Sequence, residues 1–96
     1  MTKKQQSKQQ EVKISDNIAG AEYANMMQIL QSKEEFNLLF AHILPPTGKM
    51  VGKITTSPGH FKRITEVMQN ALKTYEEKFG KIEIAEDVKN NEKIGF

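Results

Sequence analysis

The chain has 96 residues, 38% hydrophobic and 27% charged, with a net charge of +2, which is the size and make-up of one small globular domain. The absence of cysteine excludes a disulfide framework, thiolate metal sites and a Cys nucleophile. No apolar run approaches the roughly 18 residues of a membrane span, and the N-terminus lacks the apolar stretch of a signal peptide, so a cytoplasmic protein without a membrane partner is expected.

Charge is unevenly placed. Residues 1–13 carry four Lys and one Glu, a local +3, and the remainder sums to −1. The segment MTKKQQSKQQ offers no apolar side chain after Met1 and buries nothing to offset its ordering entropy, so residues 1–11 read as a disordered basic tail. Val12 and Ile14 alternate with polar residues and permit a short edge strand. Three runs of strand length follow, Tyr23–Gln31, Phe36–Leu44 and Met50–Thr56. They are broken by Ser32-Lys33-Glu34-Glu35 and by Pro45-Pro46-Thr47-Gly48, breaks short enough to demand antiparallel hairpins.

Ser57-Pro58 then signals a helix start, with Ser as the N-cap and Pro in the first turn. From residue 58 to 79, Phe61, Ile64, Val67, Met68, Ala71, Leu72, Tyr75 and Phe79 fall within an arc of about 140°. Gly80 is suited to a C-terminal cap. Ile82 and Ile84 permit another short edge strand before residues 85–96 turn polar and fray. The expected fold is α+β: a three-stranded antiparallel meander followed by one long amphipathic helix packed on the sheet, within a single domain spanning residues 12–84.

The strands are apolar on both sides. Phe36, Leu38, Phe40 and Leu44 point one way, interrupted by His42, and Leu39, Ala41 and Ile43 the other, whereas a sheet with one wet face alternates apolar and polar. One helix covers one face. The second calls for cover by another copy, so a homodimer or higher even oligomer is expected, with an unidentified protein as a further partner. The surface assigned to self-association or a partner comprises Tyr23, Asn25, Met27, Ile29, Phe36, Leu39 and Ile43.

Catalytic chemistry finds little support. Pro46-Thr47-Gly48-Lys49 contains Gly-Lys, but a phosphate loop needs Gly at position 43 and Ser or Thr at position 50, where this chain has Ile43 and Met50. His42 and His60 have no carboxylate at ligand spacing. The pairs Glu34-Glu35, Glu76-Glu77 and Glu86-Asp87 are adjacent residues, which diverge on a helix and oppose on a strand, so none makes an acid/base pair alone. No enzyme, cofactor or metal is expected. The alternative function is nucleic-acid association: Lys3, Lys4, Lys8 and Lys13 could neutralise phosphates, though no aromatic or Arg is interleaved for stacking. Ser57, Gly59, His60, Lys62 and Arg63 form a candidate anion-binding helix start.

Four segments taken together carry a resemblance: Tyr23-Ala24-Asn25; Glu35-Phe36 with Phe40; Ser57-Pro58-Gly59-His60-Phe61-Lys62-Arg63; and Tyr75-Glu76-Glu77-Lys78-Phe79-Gly80-Lys81-Ile82. In this order they resemble domain-of-unknown-function family 3467, short bacterial and archaeal proteins. The resemblance implies a strand-strand-strand-helix unit and no particular activity. It also implies an acid before Phe40, an Arg before Ile54 and an Asn in place of Ala71, whereas this chain has Leu39, Lys53 and Ala71. A cross-strand ion pair in the relatives would here become apolar surface beside a lone Lys.

Overall fold

A computed structural model describes residues 10–86; most of both predicted tails, including Lys3, Lys4 and Lys8, lies outside the described residues. Strands β1 (Met26–Gln31), β2 (Phe36–Leu44) and β3 (Thr47–Thr56) are followed by one helix, α1 (Pro58–Phe79). The strands form a single antiparallel sheet in the order β1-β2-β3. The fold is α+β, in the element order that the hydrophobic pattern and breaker residues predict.

β3 begins three residues earlier than its apolar run. Leu44 pairs with Thr47 and Ile43 with Gly48, so only Pro45 and Pro46 remain in the loop, joined by a cis peptide. Neither proline has an N–H to satisfy, which lets the ladder close directly against them. Gly48 suits this tight end, since a Cβ there would lie 3.1 Å from Ile43 Cγ1. Thr47-Gly48-Lys49 is therefore strand rather than turn. β1 starts later than predicted, at Met26, because Tyr23 and Ala24 lie outside the ladder and Asn25 joins it chiefly through its side chain, as described below. Val12, Ile14, Ile82 and Ile84 are exposed and form no edge strands; two alternating apolar residues bury too little to hold a strand in place.

Register sorts the strands by face. Phe36, Leu38 and Phe40 share one side with Ile29 and Met27 of β1 and Ile54 of β3, while Leu39, Ala41 and Ile43 share the other with Met26 and Leu30. This is the two-sided arrangement the alternation predicts. A bulge between Phe40 and Ala41 on the β3 side, with Val51 unpaired between Met50 and Gly52, adds local twist.

The helix is capped at both ends as predicted. Ser57 Oγ accepts from the His60 N–H at 3.2 Å, and Gly80, at φ +97, donates its N–H to the Glu76 carbonyl; a side chain at that positive φ would be strained.

How the helix meets the sheet differs from expectation. Phe61 stacks on Phe36 with ring centroids 4.0 Å apart and planes within 3°, and Ile64 and Thr65 are half-buried. Beyond them Val67 is 58% exposed and Phe79 68%, with Met68, Leu72 and Tyr75 also exposed. The physical reason is the connection. Ser57 alone, in extended conformation, joins β3 to the helix, where two to six residues are usual for such joints. The helix thus docks by its first turns, and its later turns stand clear of the sheet.

Only Leu38 (4% exposed), Ala41 (4%) and Met26 (7%) are buried among the described residues, and Leu38 is on the opposite face from the other two. Phe36 and Phe61 therefore provide the principal tie between the two layers. Phe61→Ala is expected to lower unfolding free energy by about 2 kcal/mol, measured by urea denaturation at fixed protein concentration. Phe61→Tyr, which keeps the ring, should cost well under half as much.

Candidate functional site

The residues assigned from sequence to a partner surface divide between the two faces. Met27, Ile29 and Phe36 are on the helix side; Leu39 and Ile43 are on the other. Tyr23 is exposed and places its ring edge-on to His42, centroids 5.2 Å apart at 71°, so this histidine acts as an aromatic neighbour at the sheet margin.

Asn25 has a structural task that its sequence position did not reveal. Its Nδ2 donates to the Ile43 carbonyl at 2.9 Å, and its Oδ1 accepts from the Ile43 N–H at 2.8 Å. Its own N–H donates to the Ala41 carbonyl. The side-chain amide thus copies a strand backbone and extends the ladder past the start of β1, satisfying groups that would otherwise need another partner. The Tyr-Ala-Asn segment fixes how the chain enters the sheet. A side-chain amide matches a peptide group atom for atom, and that match was the available signal.

Positions 39 and 53 are directly opposed across β2 and β3. An acid and an Arg at these positions would be cross-strand partners. Here Leu39 faces Lys53, next to a polar pair in which Thr55 Oγ1 donates to Asn37 Oδ1 at 2.5 Å. The face opposite the helix is accordingly apolar around Met26, Leu39, Ala41 and Ile43 and polar toward Asn37 and Thr55.

The helix start gathers Ser57, Gly59, His60, Lys62 and Arg63 within two turns. The donors it leaves for an anion are few. Pro58 has no N–H, the His60 N–H goes to Ser57 Oγ, and the Phe61 N–H goes to the Ser57 carbonyl at 2.8 Å, which leaves that of Gly59 in the first turn. An open groove of about 350 Å³ along Gln69, Leu72, Lys73, Glu76 and Glu77 follows the helix surface. Among the described residues, no three His, Asp or Glu side chains gather at metal-holding distance, and no helix is long and apolar enough to cross a membrane.

The surface that periodicity alone did not identify is the outer part of the helix stripe. Val67, Met68, Leu72, Tyr75 and Phe79 read as sheet-facing residues, yet all are exposed. Lys78 lies at the stripe's edge with Nζ 5.9 Å from the Phe79 ring centroid. The signal for this was the single residue between β3 and the helix.

Strand order, register and helix make the chain a small α+β protein, a three-stranded antiparallel meander followed by one helix. It belongs to the family described as protein of unknown function (DUF3467), whose model matches residues 1–84. No curated protein and no solved structure matches it.

The two bonds from Asn25 to Ile43 give a direct test. Asn25→Ala should destabilise the fold by about 1 kcal/mol by urea titration. Asn25→Asp keeps the acceptor but points a carboxylate at the Ile43 carbonyl, so it should be at least as damaging; a neutral Asn25→Asp would show that the amide does not hold this edge.

Proposed function

We propose that the protein is a non-enzymatic, self-associating interaction module. One observation carries this reading: beyond Thr65 the apolar stripe of the helix is exposed over three further turns. Five large side chains, each about half exposed, present roughly 500 Å² per copy, a large part of the ~800 Å² per partner in a standard interface. The largest apolar patch on a typical monomer is about 300–600 Å² and is often functional, and this stripe lies at the upper part of that range. A fold with three buried residues among those described also gains stability from a shared core, which small scaffolds commonly need. The helix stripe thus joins the strand residues Met27 and Ile29 as surface for another copy, while Phe36 is taken up by its stack with Phe61.

Light scattering after size exclusion should give about twice the 10.9 kDa chain mass at micromolar concentration. Leu72→Glu places a charge in the middle of the stripe at little cost to helix propensity, and should return the mass to that of one chain. A wild-type monomer at high micromolar concentration would overturn the proposal.

A further inference from the structure

We infer that two copies join through β1, running antiparallel about a two-fold axis to make one continuous six-stranded sheet. This rests on the self-association proposed above and names the element that mediates it. The sheet has two outer strands, β1 and β3, and they are not alike. β3 carries Lys49, Lys53 and a bulge at Val51, which are devices that keep an edge from pairing with another chain. β1 reads Met-Met-Gln-Ile-Leu-Gln, with no charge, proline, glycine or bulge. Among the described residues nothing pairs with its outer side.

The ladder shows which groups are on offer. The Ser32 N–H donates to the Glu35 carbonyl at 2.9 Å, and these residues continue the register of β1 with β2. By the two-residue alternation of an antiparallel pair, Leu30, Gln28 and Met26 direct their backbone groups to β2. Met27, Ile29 and Gln31 therefore present N–H and C=O to the outside.

Self-complementarity fixes the register. A two-fold axis normal to the sheet keeps the helix sides together, so each residue must face one of its own parity. With the axis at Gln28, Met27 faces Ile29 of the second copy on the helix side and Met26 faces Leu30 on the other, while Gln28 faces its own copy. Met27 and Ile29 then exchange both backbone bonds. An axis at Ile29 would instead set Gln31 against Met27 and Gln28 against Leu30, mixing polar with apolar.

The chain has no cysteine, so single-cysteine variants report the geometry cleanly. Gln28→Cys would sit in a non-hydrogen-bonded pair at the axis, with Cα atoms about 4.5 Å apart, inside the ~4.4–6.8 Å range that a disulfide spans. Mild oxidation should convert Gln28→Cys to a covalent dimer at least tenfold faster than Lys53→Cys on β3 or Leu72→Cys on the helix. Ile29→Pro removes an outward N–H while sparing the bonds to β2, and should return the scattering mass to one chain. A wild-type dimer in which Lys53→Cys or Leu72→Cys links fastest, or in which Ile29→Pro still dimerises, overturns the β1 pairing and leaves self-association standing. A wild-type monomer overturns both.

Discussion

A single residue, Ser57, joins the sheet to the helix, and this short joint constrains the rest of the molecule. It forces Phe61 onto Phe36 within the first turn of the helix and leaves the remaining turns clear of the strands. The apolar stripe that would close a compact two-layer domain is thereby left in solvent over most of its length. The sheet has the complementary deficit, since its two faces are both apolar and, among the described residues, share only three buried side chains. A helix with too little sheet beneath it and a sheet with too little helix above it are the same fact seen from either side.

The two sheet edges show a division of labour in the sequence. Lysines and a bulge occur on the strand that leads into the helix, and an unbroken apolar-and-glutamine strand lies on the far side. Edge guarding lowers the chance of uncontrolled pairing, and it is present on one edge alone, which is why the proposed pairing is assigned to the other. Asn25 fits this division: by supplying an amide where backbone would otherwise be required, it anchors the start of β1 to β2 and orders the unguarded strand from its first residue.

Much of the fold was legible because its signals are local. Ser57-Pro58 and Gly80 punctuate the helix, the 3.6-residue recurrence from Phe61 to Phe79 defines its apolar arc, and the two-sided pattern from Phe36 to Ile43 fixes the faces of the middle strand. What escaped the pattern depends on non-local geometry. Periodicity says which side of a helix is apolar and not how much of it the opposing layer covers, so Val67, Leu72 and Phe79 read as core. The Asn25 amide and the early start of β3 at Thr47 both depend on the partner strand, which a linear reading does not see. The opposition of Leu39 and Lys53, which the resemblance had suggested, is fixed by the bulge that sets the register of β3 against β2.

The central physical claim is that the native state of one chain is completed by another copy, so folding and association share one equilibrium. Binding that favours the native state alone makes the unfolding midpoint depend on protein concentration. The most direct measurement is therefore the thermal midpoint, followed by far-ultraviolet circular dichroism, over about a hundredfold range of chain concentration. A shared core predicts a midpoint that climbs steadily with concentration. A midpoint that stays constant across that range would contradict it, showing that each chain holds its fold alone.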